Sequence, residues 1–325
     1  LKPLLLAIFP PGVRSSAGDS LFDDGSGIER LSAEICLRRV MSSRANHVAI
    51  ITDSTCDIPT ALAAAHNIIV IPQYLVWGTE ELRDGLDIDN AGFFTRLSRD
   101  PVHPKTSQPT PSDFAELIRG SGAREAVIIT ISRQLSGTFD SAHAAQDLVA
   151  LPLYVVDSSS VSIGLGWQVL AAARVRDQGG SIGDIIAAVE HMRRRIGRFF
   201  FTVDTLEFLN RGGRVGGAAT IVGTALQLKP MLVLDHSTGR VESGDRTRTR
   251  ARALRRIIDA TFEQADMSRP LHIAVMHGAA PEDARLLIEE VRARCEPVEL
   301  LTGEVSPIIG VHAGPGVIGV GAYND

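Results

Sequence analysis

Cysteine, lysine, excess positive charge and nucleotide-binding glycine motifs are what this 325-residue chain has little of or lacks. Its three cysteines, Cys36, Cys56 and Cys295, are odd in number and far apart, which supports neither a disulfide framework nor a metal knuckle. A reducing cytoplasm is the expected setting. The nine histidines show no metal-ligand spacing, since His272 and His277 on one predicted strand project to opposite faces. No metal site is expected. The formal net charge is -5 and the pI is near 6, without the concentrated basic charge that nucleic acid requires. No GxGxxG follows the first strand, and neither a Walker lysine motif nor a G-x-S-x-G elbow occurs, so nucleotide cofactors are disfavoured and no cofactor is expected. Long hydrophobic runs are missing too. The opening LKPLLLAIFPPG is broken by prolines and is too short to span a bilayer. It also lacks the charge and the small-x-small site of a signal peptide.

What remains is an ordinary globular composition, 44% hydrophobic and 22% charged, over a length that suggests two domains. The chain starts at Leu rather than Met, and Met41 stands just ahead of the first convincing strand. Residues 1–45 are expected to be a disordered N-terminal extension outside the fold. Gln178-Gly179-Gly180 breaks the chain, which gives an N-terminal α/β domain at 46–180 and a C-terminal α/β domain at 181–325.

One pattern organises the first domain. The stretch AVIITISRQLSGTFDSA, 126–142, reads as a buried strand, a hydroxyl-rich loop and a helix start. Ser132, Ser136 and Thr138, with Gly137 letting the backbone approach a ligand, would set donors at a helix N-terminus and favour an anion; taken alone, Ser136 reads first as a plain helix cap. The same order recurs at HVAIIT followed by DSTCDIP (47–59), and at LYVV followed by DSSS before the helix Leu165–Arg176. Asp53, Ser54 and Thr55 either face the same cleft as Ser136 or bond their own turn, and Cys56 reads as a buried structural thiol. Three repeats of strand, polar cluster and helix predict an α/β fold with an open, mainly parallel sheet, its ligands lying beyond the strand C-termini.

Ile68–Trp77 is a further extended run, interrupted by Pro72 and therefore near an edge. Thr110 as cap, Pro111 at the first helical position and Asp113 in the first turn predict a helix. Thr106, Ser107 and Gln108 then lie in a proline-stiffened loop, suited to ligand recognition or to simple connection. In the second half, Phe199–Val203 reads as a strand, followed by a glycine-rich turn and a small-residue apolar helix that must be buried or face something apolar. Arg211 and Arg214 read as loop charges. The arginine-rich stretch 239–256 reads as a solvated helix, or as a docking patch for an acidic partner. Helices are expected over Ile182–Ile196 and Pro281–Cys295, a strand over Leu271–Met276, and two short apolar strands around His312.

With TSQP at 106–109, LSGT at 135–138, DSSS at 157–160, LNRGGRV at 209–215 and HAGPG at 312–316, the chain resembles the DegV family of fatty-acid-binding proteins. The match runs from about residue 46 to the end. The resemblance implies two α/β domains, the first akin to a dihydroxyacetone-kinase-type fold, with one long-chain fatty acid held between them and no enzymatic activity of its own. It also implies a separate fatty-acid kinase as partner, making the acyl phosphate used in phospholipid synthesis. Carried over by position, the fatty-acid site comprises Thr106, Ser107, Ser136, Gly137, Thr138 and His312. Lys105 stands where some relatives carry another hydroxyl, which bears on headgroup preference. Arg211, Arg214 and the 246–250 segment match regions of the family pattern without a firm role. The alternative from a different class is a small-molecule phosphotransferase or hydrolase using Asp53, Asp157 and His312 at the sheet C-terminal edge.

Overall fold

The structure is a computed structural model that describes residues 48–219 and 229–325. The expected extension at 1–45 lies outside the described residues, as does most of the small-residue apolar helix expected after the glycine-rich turn. The strands are β1 (Val48–Asp53), β2 (Ile68–Ile71), β3 (Tyr74–Trp77), β4 (Glu80–Arg83), β5 (Lys105–Ser107), β6 (Glu125–Thr130) and β7 (Leu153–Asp157). They continue with β8 (Phe199–Thr202), β9 (Lys229–Asp235), β10 (Arg240–Thr247), β11 (Leu271–His277), β12 (Glu299–Glu304) and β13 (Ile318–Asn324).

The α/β fold expected from the repeats is the one observed. Four strands in the order β2-β1-β6-β7 form an all-parallel sheet. Its central strands are apolar runs because helices cover both faces. Phe114 and Ile118 of the Pro111–Ser121 helix pack with Ile51 and Ile128 on one face. On the other, Leu165, Val169 and Leu170 of the Ile163–Asp177 helix pack with Ile50 and Ile129. The Thr110 cap and Asp113 form the expected capping box.

The second half is built on a six-stranded sheet of order β10-β9-β8-β13-β11-β12, antiparallel except for the parallel pair β11 and β12. One face carries the Arg250–Gln264 and Pro281–Arg294 helices, with Ile257, Ile258 and Leu287 packed on Val233, Ile273 and Val320. The opposite face, with Phe199, Leu232, Leu234 and Met276, joins the core that also holds Ile131 and Ile163 of the first half. A small antiparallel sheet, β4-β3-β5, completes the fold.

Three local expectations are corrected. Residues 240–247 are a strand and not part of a helix; Gly239, at φ +70°, closes a tight turn from Asp235, and the hairpin pairs Val241 with Leu234. Pairing satisfies this backbone, and the helix waits for the Thr249 cap. Of the two strands expected around His312 the second is present as β13, but the first is a helix, Pro307–Ala313, because the Ser306 side chain accepts from Ile309 N and Pro307 occupies the first turn. Thr106 and Ser107 lie on β5 and not in a loop.

Candidate functional site

Thr106 reaches the site because β5 pairs with β3 so that Thr106 stands opposite the fully buried Leu75. Strand alternation turns its neighbours Lys105 and Ser107 to the exposed side. The Pro307–Ala313 helix brings His312 in its last turn against Thr106, with His312 Nε2 and Thr106 Oγ1 2.9 Å apart. Across from them β6 ends in a turn in which Ser136 N donates to Ser132 O. Ser136 Oγ lies 2.8 Å from Thr138 Oγ1, at the start of the Thr138–Ala144 helix.

Gly137 brings these two loops together. A Cβ there would stand 2.7 Å from the Gln108 side-chain amide nitrogen, so the glycine lets the Gln108 side chain lie directly on the 135–138 turn, and a larger residue would make that side chain move. A third loop joins at Arg214, whose Nε donates to Leu135 O at 3.0 Å and whose Nη1 donates to Gly212 O at 2.6 Å. Among the described residues no carboxylate pairs with this guanidinium. Gly212 in turn lies directly against His312 Nδ1, a buried nitrogen without a hydrogen-bond partner among the described residues.

These groups rim a cavity of about 890 Å³, counted with its open part. Thr106, Ser136, Arg214 and His312 lie in its wall with Thr55, Gln73 and Ser162. The rest of the wall is almost wholly apolar, including Ile131, Leu135, Phe199, Phe201, Leu234 and Met276. Of the residues singled out from the sequence, Thr106, Ser136 and His312 therefore share one wall. Thr138 is fully buried behind Ser136, Gly137 packs on Gln108, and Ser107 is exposed on the other face of β5. Arg214 was legible only as a loop charge, because nothing in its spacing tells that the turn folds back onto Leu135.

The electrostatics favour neutral donors around one cation. Burial, with Arg214 and His103 adding positive charge nearby, pushes the His312 imidazole down to about 4, so it is uncharged at neutral pH. The carboxylates of the first sheet serve the scaffold. Asp53 accepts from Thr55 N and Oγ1, Gln73 Nε2 and Ile131 N, and Asp157 accepts from Arg133 N and Ser159 N. Asp57 accepts from Ser162 Oγ at 2.5 Å and Ser306 N at 2.9 Å, tying the start of the Ile163–Asp177 helix to the start of the helix that carries His312. Among the described residues no group of His, Cys, Asp and Glu is placed to hold a metal ion, and no helix is long and apolar enough to cross a membrane.

Residues 47–325 match the model of the DegV family, described as a family of uncharacterised proteins. A DegV domain-containing protein of Streptomyces coelicolor is 38% identical over 279 residues, covering 84% of this chain and 97% of the relative. Among solved structures, a DegV family protein from Thermus thermophilus, described by its fatty acid binding, superposes with a TM-score of 0.79 at 35% identity. That match covers 86% of this chain and 100% of the Thermus chain. DegV from Bacillus subtilis, described as a fatty acid binding protein, gives a TM-score of 0.80 at 32% identity with the same coverage. A family model that spans the whole described fold, together with these relatives, places the chain in the DegV family.

Proposed function

We propose that this protein binds one long-chain fatty acid in the cavity lined from its parallel, mixed and small antiparallel sheets and presents it to a separate fatty-acid kinase, without catalysing a reaction itself. The observation that carries the reading is one cavity wall that joins a polar group, Thr106, Ser136, His312 and Arg214, to an otherwise mainly apolar lining in which Thr55, Gln73 and Ser162 are the other polar residues described. A buried carboxylate is costly unless hydrogen-bonded or paired. The Arg214 guanidinium, which among the described residues donates to two carbonyls, supplies the counter-charge. With His312 donating Nε2–H to Thr106 Oγ1, the threonine hydroxyl proton is left for a ligand oxygen. The tail supplies affinity: at about 0.8 kcal/mol per buried methylene, some fourteen methylenes give on the order of 11 kcal/mol gross, before association costs. The solved relatives from Thermus and Bacillus, described as binding fatty acid, support the same assignment. The phosphotransferase or hydrolase alternative draws no support from the geometry, since the Asp53 and Asp157 carboxylates are engaged by their own turns.

The test is native mass spectrometry of the freshly purified protein, followed by solvent extraction of whatever is released. One fatty acid per chain is the expected result. Protein that is empty and also refuses added fatty acids would return the weight to a small-molecule enzyme.

A further inference from the structure

Strand β13 alternates Ile318, Val320 and Ala322 toward the helix-covered face of the mixed sheet, so Gly319, Gly321 and Tyr323 face the cavity side. This central strand thus offers a trough without side chains at two successive inward positions. Register places Gly319 between Phe201 of β8 and Met276 of β11. The trough is occupied by the ring of Phe199, since a Cβ on either Gly319 or Gly321 would overlap that ring.

Among the described residues, the cavity wall reaches this trough at the Phe199 ring. Val317, Gly319 and Phe199 lie in its wall, and Gly321 and Tyr323 do not. Beyond Gly321 the inward position is Tyr323, packed edge-on by Trp167 with ring centroids 5.0 Å apart. The polar group lies the other way. β13 starts where Ile318 pairs with His277, and there Val305 N donates to His277 O, just ahead of the helix that carries His312. Along β13, Val317 and Gly319 lie nearer to His312 than Gly321 does, and the Phe199 ring fills the inward side between Gly319 and Gly321.

We infer that Phe199 is the tail stop of the site, a specificity-determining residue that sets how long a straight acyl chain the cavity accepts; the inference rests on the fatty-acid reading above. Removing the ring would open the trough as far as Gly321. That is two residues further, about 7 Å along the strand, room for roughly four or five methylenes. Each methylene newly buried is worth about fourfold in affinity. Filling the trough at Gly321 has the opposite effect, because the Phe199 ring must swing into the cavity to clear the new methyl group.

The experiment loads the full chain from an equimolar mixture of saturated fatty acids of about twelve to twenty-two carbons and reads the bound distribution by native mass spectrometry. Phe199→Ala and the milder Phe199→Leu should move the bound maximum to longer acids, with at least a tenfold gain for the longest over the wild-type optimum in Phe199→Ala. Gly321→Ala should move it to shorter ones. Should the alanine variant fail to fold, Phe199→Leu carries the upward arm. Wild-type distributions in Phe199→Leu and Gly321→Ala would overturn the tail stop while leaving the binding function standing. Wild-type protein that takes up none of the acids would overturn the binding function itself.

Discussion

Gly212 lies so close to the His312 imidazole that a Cβ there would overlap Nδ1, and this contact holds Nε2 toward Thr106 Oγ1. Gly212→Ala therefore displaces the imidazole while the rest of the wall stays in place. The expected outcome is a folded protein whose fatty-acid affinity falls about five- to tenfold, the worth of one hydrogen bond in the site. Isothermal titration with a single saturated acid measures it, and an unchanged dissociation constant would show that His312 takes no part in holding the headgroup. At this scale the sequence was readable where chemistry marks a residue by type. The hydroxyls of Thr106 and Ser136 stand out as donors at strand and helix ends, and both line the cavity. Arg214 does not stand out, because its role comes from a turn that folds back onto Leu135. Phe199 does not either: as a sequence letter it is one more strand phenylalanine, and only the cross-strand glycines give it a special position.

Two helix starts make a contrast between holding the fold and holding the site. The Pro111–Ser121 helix begins with Thr110, whose side chain accepts from Asp113 N while Asp113 answers to Thr110 N. The Pro307–Ala313 helix begins with Ser306, which caps Ile309 N and donates its own N–H to Asp57. Thr110→Ala should cost about 1 kcal/mol in urea unfolding and leave fatty-acid affinity unchanged, since that helix packs behind the parallel sheet. Ser306→Ala should cost a similar amount and also weaken binding, because it frays the helix that positions His312. Equal effects of the two on binding would refute this division of labour. The same helices show why elements were unequally legible. Thr110, Pro111 and Asp113 spell a start in four residues. In the 307–313 segment, Ile308, Ile309 and Val311 among glycines read as strand, and the cap and proline that decide the matter stand just ahead of them. At 240–247 a run of arginines suggested a helix, yet the backbone is taken by pairing with β9, a long-range partner that local periodicity does not show.

Across the whole molecule, buried acids and buried histidines pull stability in opposite directions with pH. Burial pushes Asp57 up to about 8 and Asp84 up to about 7. Asp53 is raised as well, also by burial. The unfolded chain releases these protons near pH 4, so the native state binds more protons from about pH 4 upward and stability falls as pH rises through that window to about 8. His236 and His312, both pushed down to about 4 by burial, act the other way: the unfolded chain keeps their protons up to about 6.5, so stability rises between about 4 and 6.5 and is flat above. His272, raised by its hydrogen bond to Glu299 and by Asp325, adds to the loss above pH 6.5. The terms oppose one another in the acidic range and only losses remain beyond it. The full chain should therefore unfold at lower urea at pH 8 than at pH 6.5, by a margin that shrinks in Asp57→Asn. Asparagine can still accept from Ser306 N and donate to Ser162 Oγ, so that variant removes the titration and keeps the link between the two helix starts. Equal pH dependence in wild type and Asp57→Asn would mean that Asp57 is already ionised in the native protein at pH 6.5, and that the joint beneath the His312 helix is held by a charge.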